Sequence, residues 1–273
     1  MSFFRRSLLV LLVLPLLMAQ GQADDQVAAP VRVGFLEFPP YSYRDALERP
    51  AGSMIDFAER LFELAGLPVE LTPYPPARLY KNLLDGSTEV TLGALGNPLL
   101  RDHTLNGGEV IGSLNLNLYY PAGQPPPQLP QDLVGKRLLL IHGFTYWAPE
   151  ARQLLEDRNL ELRLQTANSH LAALELLDKR RADYLLDYQM PVEDALRQSQ
   201  RPALPALTLH SLPLGLIFSR HSMRSELLRQ RLEGAYQQLK DSGELQSWRQ
   251  AMHLQEVVTP RVATEALSAK PTP

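Results

Sequence analysis

The sequence predicts an α/β fold of two lobes, each a mostly parallel sheet flanked by helices, with a ligand cleft between the lobes. Two observations carry this reading. Short apolar or alternating segments with strand character recur between helical patterns of about 10–15 residues. That rhythm stops at residues 121–130, which hold five of the chain's 23 prolines, and then restarts. The expected organisation is a signal peptide over 1–23, a first lobe from 24–118 and 213–253, a second lobe from 119–212, and a flexible tail over 254–273.

Residues 1–23 carry the charge and length pattern of a secretory leader. Arg5 and Arg6 precede the apolar run Leu8 to Met18, and Gly21-Gln22-Ala23 supplies small residues for cleavage. Eleven residues at the helical rise span only about 16 Å, roughly half a bilayer core, which argues against a membrane anchor. The expected location is the periplasm.

Val31 to Phe35 alternates as a strand, and Pro39-Pro40 turns it into a loop. Ser53 opens a helix to Ala65, whose Met54, Phe57, Ala58, Leu61 and Phe62 recur at helical spacing before Gly66 stops it. A strand near Val69 to Leu71, a helix opened by Pro75-Pro76 and closed by Gly86, and a strand from Glu89 to Leu95 complete the first series. Leu114 to Tyr120 alternates as a strand into the proline segment. Beyond it come strand Arg137 to Ile141, helix Trp147 to Asp157, strand Leu160 to Thr166, helix Ser169 to Lys179, strand Asp183 to Leu186 and a helix near Val192 to Arg197. Leu212 to Ser219 returns as an apolar strand, and helices Ser225 to Lys240 and Gly243 to Met252 close the fold.

Composition excludes several function classes. With 27 Lys+Arg against 30 Asp+Glu the formal charge is −3, without the basic face a nucleic-acid binder needs. The absence of cysteine excludes a disulfide scaffold, a thiolate zinc site and a cysteine nucleophile. The six histidines lack metal-ligand spacing and no G-x-S-x-G elbow occurs, so neither a metal, a cofactor nor serine acyl transfer is expected.

In open α/β sheets ligands sit beyond the carboxyl ends of strands, so the residues there are the site candidates. Phe38 and Tyr41, in the loop stiffened by Pro39-Pro40, offer an apolar wall, or simply pack beneath the loop. Gly96 and Asn97 offer backbone and amide donors ahead of Arg101, which suits a bidentate grip on a carboxylate or an ion pair at the rim. Thr145 and Tyr146 follow Gly143 where a helix is about to start, placing a hydroxyl and free N–H groups at the cleft. Asp187 closes an apolar strand as a partner for an ammonium group, or as a helix cap. Glu37 and Asp187 are the acids available to a catalytic reading.

Five segments in order carry a family resemblance: Phe38-Pro39-Pro40-Tyr41, Gly52 to Ala58, Asp132 to Arg137 followed by Gly143-Phe144-Thr145, Ala182 to Asp187, and Leu239 to Trp248. Over Val31 to Met252 the chain resembles the periplasmic amino-acid-binding proteins of ABC importers, the family-3 solute-binding proteins with the type II periplasmic binding fold. The resemblance implies that Arg101 grips the ligand carboxylate, Asp187 takes its ammonium, Thr145 helps the carboxylate and Phe38 stacks on the side chain. It also implies closure of the lobes by bending near Leu114 to Tyr120 and Leu212 to Phe218. The chain departs from the family where hydroxyl residues give way to Gly93, Ala94 and Gly96, and where Phe144 replaces a threonine, which makes the pocket more aromatic.

The expected function is capture of an amino acid or related small carboxylate by a monomer and its delivery to an inner-membrane ABC permease, without enzymatic activity. A sensor that signals to a membrane receptor, or a dehydratase-like enzyme on the same fold, are the alternatives.

Overall fold

The computed structural model describes residues 29–254; the expected signal peptide and nearly all of the expected tail lie outside the described residues. Ten strands and seven α-helices alternate along them. They are β1 (Val31–Phe35), β2 (Tyr43–Arg44), β3 (Pro50–Ala51), α1 (Ser53–Leu64), β4 (Val69–Pro73), α2 (Pro76–Asp85), β5 (Val90–Ala94) and β6 (Thr104–Tyr119). After the proline segment come β7 (Arg137–Ile141), α3 (Pro149–Glu156), β8 (Arg163–Ala167), α4 (His170–Asp178), β9 (Tyr184–Tyr188), α5 (Gln189–Gln198), β10 (Ala206–Ser219), α6 (Ser225–Asp241) and α7 (Glu244–Ala251).

Eight strands form one sheet in the order β4-β1-β5-β10-β6-β9-β7-β8. At one end β1 runs parallel to β4 and β5, and at the other β7 runs parallel to β8 and β9. Between these parallel trios lies the long antiparallel pair β6 and β10, joined from Ala206↔Tyr119 to Ser219↔Thr104. The chain therefore forms two α/β halves that share two crossing strands, as the alternation of elements predicts. Register shifts interrupt that pair between Thr208 and His210 and again between Leu214 and Ile217. Such bulges bend a ladder where it passes from one half to the other.

Each half has its own core. Phe57, Leu61 and Phe62 of α1 pack with Phe218, Leu228, Leu232 and Tyr236 in the first. Leu139, Leu174, Leu177, Leu185 and Val192 fill one side of the second. Helix α1 buries its apolar stripe because those residues recur on one face. Gly52, just before it, has φ +109°, and a Cβ there would collide with the Tyr41 carbonyl oxygen. Only glycine lets the Phe38–Tyr43 loop lie on the start of α1. Helix α2 opens with Pro76 at its first position and ends at Gly86 in the left-handed region.

One buried ion pair ties the first half together. Glu89, ahead of β5, and Arg224, ahead of α6, are 2% and 8% exposed. The Arg224 Nε donates to Glu89 Oε1 at 3.0 Å, and Ser222 Oγ donates to the same oxygen at 2.8 Å. The guanidinium also reaches the Ala29 and Pro30 carbonyls at 2.8 and 3.1 Å, which clamps the entry to β1. Burial alone would raise the Glu89 pKa, but hydrogen bonds from Arg224, Ser222 and the Arg32 N–H outweigh it and hold it below the ordinary 4.5.

Several elements differ from expectation. Strands β6 and β10 start far earlier than Leu114 and Leu212, and β2 with β3 forms a small hairpin between the first loop and α1. Helix α3 starts at Pro149, so residues 142–148 are an irregular loop. Among the described residues no helix is long and apolar enough to cross a membrane.

Candidate functional site

The carboxyl ends of β1, β4, β5, β7 and β9 converge on a cavity of about 380 Å³ between the two halves. The first half contributes Phe38, Tyr74, Tyr80, Gly93 and Asn97 to its wall, and the second contributes Phe144, Thr145, Trp147 and Tyr188. Gly93 and Tyr188 lie at the ends of β5 and β9 themselves, and most of the others follow a strand end where the chain turns over it. Tyr80 comes instead from the first turns of α2, which starts directly after β4.

Aromatic rings from both halves meet across the cavity. Phe38 stacks on Phe144 with centroids 5.6 Å apart and an interplanar angle of 23°. The edge of Tyr188 meets Phe38 at 6.1 Å, and Phe144 and Tyr188 stand 5.9 Å apart. The hydroxyls of Tyr80 and Thr145 share a hydrogen bond of 3.4 Å between the halves. The Tyr188 hydroxyl donates to the Thr145 carbonyl at 2.9 Å, which fixes the loop after β7. Burial raises the pKa of Tyr80 and Tyr188, so both stay neutral hydroxyls at physiological pH.

The candidate residues from the sequence separate into two groups. Phe38, Asn97 and Thr145 stand in the cavity wall. Asn97 also caps the short helical turn 98–100, its Oδ1 accepting from the Leu99 N–H at 3.0 Å. Gly96 and Arg101 line a neighbouring cavity of about 220 Å³, which shares Asn97, Leu100 and Ile217 with the main one. Arg101 is exposed and, among the described residues, has no ion-pair partner.

The other three lie behind the wall. Tyr41 is 1% exposed and its hydroxyl donates to the Met190 carbonyl at 3.3 Å. Tyr146 stacks on Tyr188 at 6.1 Å and its hydroxyl accepts from the Ile141 N–H at 2.9 Å. Asp187 is fully buried, with Oδ2 held by His170 Nδ1 at 2.7 Å and Oδ1 accepting from the Tyr188 N–H at 2.7 Å. Burial pushes its pKa up, against the pull of the His170 hydrogen bond.

Tyr80, His170 and Tyr188 were not among the sequence candidates. The strand-end rule reaches His170, since it lies three residues beyond β8, and Tyr188, since it ends β9. Tyr80 has no such signal, because its place depends on which face of α2 meets the cleft.

Charge is scarce in the wall. Glu37 and Arg44 line it and pair with one another at 2.7 Å. Among the described residues no group of three or more His, Asp or Glu side chains converges as metal ligands would. The site is thus suited to enclosing a small, largely apolar body while neutral hydroxyls and amides read its polar end.

Comparison with known proteins agrees with this architecture. The family described as "Bacterial extracellular solute-binding proteins, family 3" matches residues 31–252. No curated protein matches the chain. Among solved structures, a histidine kinase sensor domain with similarity to periplasmic binding proteins has 19% identity and a TM-score of 0.66, over 85% of this chain and 100% of that one. A mutant of ArgBP from T. maritima has 15% identity and a TM-score of 0.65, over 85% and 98%. The ancestral amino acid-binding protein AncCDT-1, a precursor of cyclohexadienyl dehydratase, has 16% identity and a TM-score of 0.63, over 81% and 93%. At these identities the likeness is one of fold.

Proposed function

Because the chain belongs to the bacterial extracellular solute-binding proteins of family 3, we propose that it captures an amino acid or related small carboxylate in the periplasm and hands it to an ABC importer. The observation that carries the reading is the 380 Å³ cavity walled by both halves. A ligand there touches Phe38 and Tyr80 on one side and Phe144 and Thr145 on the other. It gains all of these contacts only when the halves are together, so binding shifts the chain toward the closed arrangement.

The lobes in this reading are residues 24–118 with 213–253, and 119–212, with β6 and β10 as the hinge. Arg101 supplies the cation for the carboxylate from the neighbouring cavity, and Asn97, shared by both cavities, adds an amide. The work in this reading is recognition and closure; among the described residues lining the cavity, the one acid, Glu37, is paired with Arg44.

A thermal-shift screen of protein denatured and refolded to remove carried-over ligand tests this reading. The panel comprises amino acids, opines, small peptides, polyamines and organic acids. A ligand at 100 times its Kd adds about 2.7 kcal/mol, a rise in Tm of about 5–10 °C for a chain of this size. The expected response is confined to carboxylates, and a panel without any response contradicts the reading. Arg101→Ala is expected to weaken the responding ligand by about tenfold to a hundredfold, the worth of one charge-assisted hydrogen bond. The Tm of the free variant stays unchanged, because Arg101 is exposed.

A second reading has the same closure reported to a membrane sensor, and the likeness to a histidine kinase sensor domain favours it. Permease and ATPase genes beside this one support import, and a sensor kinase gene supports signalling.

A further inference from the structure

Behind the aromatic wall lies a pair of groups that the capture reading leaves unused. Asp187 is the last residue but one of β9, with its side chain wholly out of water. Both its oxygens are occupied, one in a hydrogen bond with His170 Nδ1 and one by the Tyr188 N–H, each at 2.7 Å. His170 is placed by helix α4, whose first turn is capped by Ser169 Oγ accepting from the Ala172 N–H at 3.2 Å. The Phe144 ring, which lines the cavity, stands 5.4 Å from the His170 ring. Asp187 is not part of the cavity wall.

We infer that His170 occupies the cation site on Asp187 in place of a ligand amine, and that the cleft therefore selects carboxylates without a primary ammonium group. The inference rests on the cavity being the ligand site. A primary ammonium carries three N–H donors and a full charge, and enclosing it without a carboxylate is costly. Among the described residues the wall offers no free one: Glu37, the one carboxylate they place there, is held by Arg44 at 2.7 Å. Neutral hydroxyls of Tyr80 and Thr145 accept hydrogen bonds without balancing the charge. An apolar or aromatic acid lacking the amine leaves no such debt, and its body meets Phe38, Phe144 and Tyr188.

His170 is then a specificity-determining residue, and removing it should expose Asp187. Its side chain is 16% exposed, so a small cation has a route to the vacated place. The experiment measures the Tm of wild type and His170→Ala in n-butylammonium chloride, against sodium chloride at equal ionic strength, and in imidazole. Wild type is expected to gain nothing from the amine. His170→Ala is expected to melt several degrees lower and to recover in both n-butylammonium and imidazole. An equal response of wild type and variant to the amine overturns the inference, as does a variant that recovers in neither.

Matched pairs extend the test to the ligand. In wild type, 3-phenylpropionate should bind at least tenfold tighter than L-phenylalanine, and 4-methylpentanoate tighter than L-leucine, with the order reversed in His170→Ala. An amino acid preferred by wild type overturns the inference. Wild type that responds to neither member of any pair removes the capture reading, while the amine response of His170→Ala still decides whether His170 stands in for a cation. Should His170→Ala fail to refold, refolding in imidazole supplies the missing ring, and failure there also overturns it.

Discussion

Glu89→Ala is expected to lower the unfolding free energy by about 3–5 kcal/mol, because it leaves the Arg224 guanidinium buried without its carboxylate. For a chain of this size that corresponds to a fall in Tm of roughly 6–20 °C. The cost is concentrated at one point in the fold. Arg224 also holds the Ala29 and Pro30 carbonyls, and Glu89 accepts from the Arg32 N–H, so the starts of β1, β5 and α6 depend on the same cluster. Replacing both partners, as Glu89→Leu with Arg224→Met, should recover part of the loss, since no charge is then left in the core. The contribution depends on pH with a definite sign. The folded pKa of Glu89 lies below its ordinary 4.5, so its stabilisation is complete above 4.5 and disappears as the pH falls through the folded value. The Tm difference between wild type and Glu89→Ala should therefore narrow on acidification through that range. A difference below 1 kcal/mol at neutral pH contradicts the account of the pair.

Gly93→Leu is expected to abolish ligand binding while leaving the fold intact. Gly93 lies in β5 and in the cavity wall, and the nearest atom to a Cβ built on it is Ile217 Cδ1 at 3.8 Å, an ordinary van der Waals contact. A Cβ there meets no backbone within 4 Å and the glycine's φ is not left-handed, and since Gly93 lines the cavity the larger side chain is expected to take up cavity space. An apolar group that fills an empty apolar space adds buried surface, and the free variant should melt at or above the wild-type temperature. The ligand meets an overpacked site and loses at least about a hundredfold in affinity. Isothermal titration with whichever ligand the screen finds reads this directly. Retained affinity would mean that the ligand sits elsewhere, and the neighbouring cavity beside Arg101 would be the next place to look.

Much of the fold is legible in the sequence because each half alternates buried strands with amphipathic helices, and both patterns are local. The α1 stripe of Phe57, Leu61 and Phe62 is one case, and the wholly buried run of β9 is another. The long strands β6 and β10 are legible only at their apolar ends. Asn106, Gly107 and Gly108 have low strand propensity, and while Asn106 pairs with Ile217, the two glycines fall in the register shift before Val110, so no strand pattern marks them. The start of α3 is at Pro149 and not Trp147 because proline fits the first helical position and keeps the preceding Ala148 extended.

The site follows the same division. Phe38, Asn97 and Thr145 lie at strand ends, so the strand-end rule reaches them and the structure places them in the wall. The position of Asp187 can be read in the same way, but its partner cannot. His170 belongs to a different strand and helix, and only the packing of α4 against β9 brings the two side chains to 2.7 Å. Tyr80 depends on the orientation of a whole helix. The aromatic character of the pocket was visible in Phe144, whereas the enclosure of Asp187 behind that ring is a property of the tertiary fold.

The most direct test of capture in the cleft uses the chain's two tryptophans. Trp147 lines the cavity, and Trp248 packs against Phe57 in the first-half core at 5.9 Å. Replacing Trp248 by phenylalanine leaves Trp147 as the single indole reporter. Titration with a ligand that stabilises the protein should change the emission of Trp147 saturably, with one site per chain and a Kd matching the thermal shift. A ligand that raises the Tm while the Trp147 emission stays unchanged through saturation would contradict binding in this cavity.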